Sequence, residues 1–237
     1  MRDLLSLDFE GTIRHVAKLG YNELEFAGVL GASRKRTRRL LAELGISSPS
    51  AHVAFSVLKT DLARTLDLCS EMNFRYLVCP WIDEHERQDA NDWKRISALL
   101  NRIGETARRY RVILAYHNHD FEFMPLQSGE LPYDIILERT DPDLVKLELD
   151  VYWVTKGKGD PSRYLRRFPQ RFPLLHLKDM AKDGSITEVG AGVIDFVSIL
   201  RAAKISGTRH YFVEQDYSAD PIASITKSYL YLRGLKT

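Results

Sequence analysis

Cysteine is scarce in this chain: Cys69 and Cys79 are the only two in 237 residues, and they form no CxxC pair. A disulfide scaffold is therefore not expected, and a reducing cytoplasmic setting is the simplest assignment. Long apolar runs are also missing, since none approaches the ~18 residues that cross a membrane. The N-terminal MRDLLSLDFE lacks the charged-then-apolar layout of a signal peptide. Neither sign of charge dominates, because 34 Lys and Arg stand against 32 Asp and Glu for a net charge of +2. That excludes the global basic field of a nucleic-acid partner. The basic stretch RKRTRR at 34–39 runs straight into LLAELG and reads as the solvated first turns of a helix. No glycine-rich phosphate loop occurs, and GKGDP at 157–161 is too short to serve as one, so nothing requires a phosphorylated substrate.

Short apolar runs alternate with amphipathic stretches. FEGTIRHVAKLG and SRKRTRRLLAELG carry apolar residues at helical spacing and stop at Gly20 and Gly45, as helices with C-terminal glycines do. NELEF, YLVCP, VILAYH, VKLELD, PLLHLK and YFVEQD read as strands, and SSPSAHVAF as a further extended run. Helical stretches lie between them, from TDLARTLDLCSEMN to the final PIASITKSYLYLRGL. Short strands that are apolar on both faces and alternate with helices belong to a parallel sheet covered by helices. With 44% hydrophobic residues and no linker or composition shift, one domain over 1–237 is expected. The strand count is seven where a closed (β/α)8 TIM barrel has eight. Either MRDLLSL supplies a poor first strand or the barrel lacks one, and in both cases an open edge makes a homo-oligomer the expected state.

The polar residues fall at one end of the strands. NELEF ends near Glu25, SPSAHV near His52, and VILAYHNHDFEF in His117, His119 and Glu122. VKLELD ends in Asp150, PLLHLKD in His176, Lys178 and Asp179, and YFVEQD in Glu214 and Asp216. Asp160 before Pro161 looks like a helix N-cap. Asp150, followed by YWV after Val151, does not, and reads as a strand end that opens no helix at once. His52 and His210 have a structural alternative as hydrogen-bonded core histidines, and Lys178–Asp179 as a local ion pair. In a parallel barrel the C-terminal strand ends meet at one mouth. So many ionisable groups need mutual pairing or a cation there. Carboxylates and imidazoles without cysteine suit one Mn²⁺, Mg²⁺, Co²⁺ or Zn²⁺ ion. Such an ion polarises substrate oxygens while a nearby carboxylate or histidine moves a proton. Phe55, Trp81, Tyr116, Phe123, Tyr152 and Trp153 are candidate apolar walls against a sugar ring.

YHNHDFEF, LELDVYWVTKGKGDP, HLKDM, EVGAGVIDF and VEQD, in this order, resemble the sugar phosphate isomerase/epimerase family with its xylose-isomerase-like TIM barrel. The resemblance implies a divalent metal held by Glu, Asp, His and Glu from four successive strands. By motif, Asp150, His176 and Glu214 match the second, third and fourth ligands. For the first, the family's ketose epimerases place a Glu on the strand itself, where this chain has Ala115. Its keto-sugar dehydratases place the Glu after a histidine-rich strand end, which makes Glu122 the candidate. His117 and His119 would then act as acid–base groups, with either able to ligate in place of Glu122. Glu122 and Glu214 would share the proton chemistry. His52, Tyr116, Trp153, Lys178 and Glu25 would face the substrate. The implied activity is isomerisation or epimerisation of a sugar, keto-sugar or polyol through an enediolate, with dehydration on the same site as the alternative. A three-zinc DNA-repair endonuclease of the same barrel would need more strand-end histidines, and an inactive sugar-binding barrel would hold no ion.

Overall fold

The computed structural model describes residues 1–27 and 33–236. Its frame is a parallel seven-stranded sheet: β1 (Glu23–Ala27), β2 (Ser47–His52), β3 (Tyr76–Cys79), β4 (Ile113–His117), β5 (Val145–Asp150), β6 (Leu174–Leu177) and β9 (His210–Val213). A two-stranded antiparallel hairpin, β7 (Asp179–Met180) with β8 (Ile186–Thr187), is inserted before β9. Helices α1 (Arg2–Leu7), α2 (Phe9–Leu19), α3 (Arg34–Leu44), α4 (Phe55–Thr60), α5 (Leu62–Met72) and α6 (Ala90–Arg109) belong to the first half. In the second half come α7 (Pro132–Arg139), α8 (Val151–Lys156), α9 (Pro161–Arg167), α10 (Phe196–Ser206) and α11 (Pro221–Gly234). Gly20 (φ 109°) and Gly45 (φ 65°) end α2 and α3 in the left-handed conformation that glycine adopts without steric cost.

Period-2 alternation sorts each strand into two cores. Leu77, Leu114, Leu147, Leu149 and Leu175 face outward into the large core under the helices. Tyr76, Val78, Ala115, Leu174 and Phe212 form a smaller core inside the barrel. The same alternation places Glu148 and Asp150 on one face of β5. Register then lines up the polar ends, pairing Ala27 with His52, Glu148 with His117, Asp150 with His176, and Leu177 with Val213.

The barrel is nearly closed. β1 and β9 are the two ends of the sheet and share no ladder among the described residues. Side chains tie β1 to that end of the sheet instead: His210 Nδ1 of β9 to Glu23 at 2.9 Å near the base, and His176 Nε2 of the neighbouring β6 to Glu25 at 2.8 Å near the mouth. The segment MRDLLSL does not supply the missing strand, because its residues from Arg2 to Leu7 are helical. A cavity of about 690 Å³ runs along this seam. SSPSAHVAF also differs from the extended reading: β2 stops at His52 and Phe55 opens α4.

Helix α8 begins directly after β5, which corrects the reading of Asp150 as a strand end with no helix behind it. Asp150 Oδ1 accepts the Trp153 N–H at 3.0 Å as the N-cap, and burial of Val151, Tyr152 and Val154 outweighs the weak helix propensity of VYWVT. Asp160 caps α9 through the Arg163 N–H at 3.2 Å, with Pro161 in the first turn.

Candidate active site

The C-terminal strand ends converge as expected, in two layers that share one histidine. The upper group is His117, Asp150, His176 and Glu214, contributed by β4, β5, β6 and the residue after β9; their ligand atoms all lie within 4.8 Å of one another. His176 Nδ1 is 2.9 Å from Glu214 Oε2 and 4.0 Å from Asp150 Oδ2, and His117 Nε2 is 3.7 Å from Asp150 Oδ2. The lower group is Glu25, His52, Glu148 and His176. Lys178 is buried beside the upper group, with Nζ 2.8 Å from Glu214 Oε2, 3.3 Å from Asp150 Oδ2 and 3.2 Å from Asp216. Lys178 thus pairs across the mouth and not with its neighbour Asp179. The Asp179 carboxylate instead accepts the backbone N–H groups of Met180, Gly190, Gly192 and Ile194, which folds EVGAGVIDF around it.

Burial alone would raise the carboxyl pKa values, but the opposite charges win. His176 and Lys178 hold Glu214 well below the usual carboxylate range, and Lys178 with His117 holds Asp150 below it. The same contacts raise Lys178 above the ordinary lysine range, so it stays an ammonium. His119 behaves oppositely: burial, reinforced by His117, lowers it to about 3, and it is a neutral imidazole.

The upper donor set fits a divalent cation. Asp150 Oδ2 and both ring nitrogens of His117 are buried without a hydrogen-bond partner, although each is a strong ligand type. Two carboxylates with two imidazoles suit Mn²⁺, Co²⁺ or Zn²⁺.

Glu122, the expected first ligand, is not brought to this group. Its oxygens are taken by the Tyr116 hydroxyl at 2.6 Å and the His119 N–H at 2.8 Å, inside the barrel wall. Tyr116 is likewise fully buried on the outward face of β4, so it supports Glu122 and does not reach the mouth. Ala115 faces the apolar barrel interior. Above the ligands lies a small cavity of about 140 Å³ whose lining includes Trp81, His117, His119, Trp153, Lys178 and Glu214. The ring of His119 sits 4.7 Å from Trp81 and 5.2 Å from Trp153. Phe55, Phe123 and Tyr152 are buried core residues and line no part of it. His52 borders the cavity from the lower layer, and Glu25 lies entirely within that layer.

Two site residues escaped the sequence reading. Glu148 stands two positions before Asp150 in LELD, and period 2 alone would have turned it to the same face. Asn118 is fully buried, and its amide exchanges hydrogen bonds with the backbone of Asp150 at 3.1 and 3.3 Å. It thereby extends the β4–β5 pairing to the ligand itself.

Glu122 gives a first test. Burial raises its pKa from 4.5 to about 7, against the pull of its two hydrogen bonds. The folded state then keeps a proton that the unfolded chain releases near 4.5. Stability is full below that pH and falls as pH rises through 7, by on the order of 3 kcal/mol. Glu122→Gln can accept the His119 N–H and donate to Tyr116, so it should erase this slope and be the more stable protein at pH 8. Its divalent-metal affinity should stay within about twofold of wild type; loss of the ion would return Glu122 to the ligand set. Urea unfolding across pH, with calorimetric metal titration, reads both.

These features define a class first: a parallel α/β barrel with a histidine–carboxylate ligand group at the C-terminal ends of its strands. A sequence profile of the xylose isomerase-like TIM barrel matches residues 13–234, and the chain belongs to that family. The inosose dehydratase of Lacticaseibacillus casei is 28% identical over 164 residues, covering 60% of this chain and 54% of that protein. The chain thus spans about half the length of the first such relatives. The inosose dehydratase of Geobacillus thermodenitrificans is 24% identical over 269 residues, covering 96% and 89%. Among solved structures, a sugar phosphate isomerase/epimerase from Parabacteroides distasonis superposes with a TM-score of 0.86 at 25% identity, covering 98% of this chain and 90% of the other.

Proposed function

We propose that the protein is a divalent-metal-dependent dehydratase of a keto-sugar or keto-polyol, with His117, Asp150, His176 and Glu214 holding the ion. The observation that carries this reading is the fourth corner of the ligand group. There an epimerase of the family is expected to present a second glutamate, whereas this chain presents His117 and turns Glu122 into the wall. Of the ligand carboxylates only Glu214 lines the cavity, together with aromatic and imidazole rings.

When bound, the cation supplies Lewis-acid polarisation of the substrate carbonyl and an adjacent hydroxyl. Glu214 is the base. It is the most exposed of the ligand carboxylates, at 27%, and takes the proton from the carbon next to the carbonyl. Lys178 supports the charge that develops and gives its proton to the departing hydroxyl. Hydroxide is far more basic than an amine, so a lysine held as ammonium is competent for that transfer. One C–H and one C–O bond break, a C=C bond forms, and water leaves. His119, neutral and fixed between Trp81 and Trp153, donates a hydrogen bond to the ring or its hydroxyls. The acid–base role expected of His117 and His119 is taken by Glu214 and Lys178.

The names of the inosose dehydratase relatives support a keto-polyol substrate, and a cavity with tryptophan walls suits a sugar-sized ring. The test is incubation of the metal-loaded protein with inosose-like keto-polyols, keto-sugars and aldoses in D2O, followed by NMR. Loss of water with deuterium exchange at the α-carbon is expected. Clean conversion to an epimer or isomer without dehydration would instead assign the isomerase/epimerase chemistry.

A further inference from the structure

The lower group lies one layer beneath the ligands, and the function proposed above makes no direct use of it. Resting on the metal-site reading, the geometry points to Glu25, Glu148 and His52 as a positioning unit. It fixes His176 as a ligand through Nδ1 and supplies a buried negative charge behind the ion.

The two nitrogens of His176 face different surroundings. Nδ1 looks up toward Glu214 and Asp150, while Nε2 lies 2.8 Å from Glu25 Oε2 and 3.3 Å from Glu148 Oε2. A carboxylate accepts but cannot donate. Without an ion both nitrogens face carboxylates and both can donate; a cation on the Glu214–Asp150 side would take the place of the Nδ1 hydrogen, while Nε2 keeps its own toward Glu25 and Glu148. A carboxylate behind a ligating imidazole also makes it more basic and holds the plane of its ring.

His52 fixes the carboxylates in turn. Its Nε2 is 2.8 Å from Oε2 of both Glu25 and Glu148, and its ring stacks on His176 with centroids 5.5 Å apart and planes 11° from parallel. Glu25 Oε1 and Glu148 Oε1 are buried without a hydrogen-bond partner, so both carboxylates keep unused acceptor capacity. Two carboxylates share one bridging imidazole and one side of a second. Even with His52 charged, the unit is net negative once His176 serves as a neutral ligand. Glu148 and Asp150 sit on the same face of β5, so one strand carries both the ligand and the outer anion. Glu25 lies on the seam strand β1, which places the mouth-end bridge of the nearly closed barrel directly behind the metal ligand.

The experiment compares wild type with Glu25→Gln and Glu148→Gln. It measures ion stoichiometry by plasma emission, Mn²⁺ and Co²⁺ affinity by competition with a chelator, and the visible absorption of the cobalt-loaded proteins at saturation. One ion per chain is expected in all three. Affinity should fall about 10–100-fold in Glu25→Gln and less in Glu148→Gln, whose carboxylate is farther from His176. The cobalt spectrum of Glu25→Gln should also shift at full occupancy, which a role in folding alone would not cause. Should Glu25→Gln not fold, Glu25→Gln/His52→Gln removes the facing imidazole as well and carries the same expectation. Unchanged affinity and spectrum in these variants would overturn the inference and leave the metal site standing. Two ions in wild type, one of them lost in Glu148→Gln, would overturn it by making the lower group a second metal site. A wild type that binds no ion would sink the metal reading as a whole.

Discussion

Replacing Asp150 by asparagine is expected to abolish divalent-metal binding and to lower turnover by about 10³-fold or more. Loss of the ion removes several kcal/mol of Lewis-acid stabilisation, at roughly a tenfold rate change per 1.4 kcal/mol. Asparagine is the informative choice because Asp150 does two jobs with two oxygens. Oδ1 caps α8, and the Asn oxygen can still accept the Trp153 N–H. Oδ2 faces His117, His176 and Lys178, and there an amide NH₂ replaces a charged ligand atom. Fold and function should therefore separate, with an unchanged circular dichroism spectrum and no metal retained after dialysis. Full metal occupancy and activity in this variant would refute the site.

Lys178→Met should give the largest stability loss in the metal-free protein. The ammonium is buried against Asp150 and Glu214, and removing it leaves the fully buried Asp150 and the partly exposed Glu214 with less compensation. Breaking a buried ion pair from one side costs about 3–5 kcal/mol. In a chain of this size that lowers the melting temperature by roughly 6–20 °C. A divalent cation between the same carboxylates replaces the missing charge, so added Mn²⁺ should recover much of the loss and stabilise Lys178→Met more than wild type. Scanning calorimetry with and without Mn²⁺ checks this. A stability loss that metal does not relieve would mean that Lys178 acts through packing alone.

The barrel was legible in the sequence because its signals are local and repeated. Apolar runs such as VILAY and VKLEL mark strands, and Gly20 and Gly45 mark the ends of helices. The polar strand ends marked the mouth for the same reason. Side-chain commitment was not legible. YHNHDFEF shows which residues lie near the mouth but not which way each turns. Period 2 carries His117 inward and Tyr116 outward, and the turn at Phe121–Phe123 then folds Glu122 back onto the Tyr116 hydroxyl. Helix α8 was missed because local propensity argues against VYWVT, and the burial that stabilises it is tertiary. Of the two alternatives for MRDLLSL, the missing strand is the one that holds, and seven residues carry too little periodicity to separate strand from helix. Glu148 was within reach, since LELD states the alternation outright.

The side chains that tie β1 to the β6–β9 end of the sheet also bear on the order of folding. Neighbouring strands from β1 to β6 are joined by single crossovers, so each pairing closes a modest loop. The Glu23–His210 contact spans 187 residues and the Glu25–His176 contact 151. Closure entropy grows with loop length, and contacts this distant in sequence are made only once the intervening strands are in place. The ligand-bearing strands β4 to β9 can assemble before that step. The chain would then pass through a stage with its ligands gathered but His176 unsupported from behind, and the seam would complete the metal centre last.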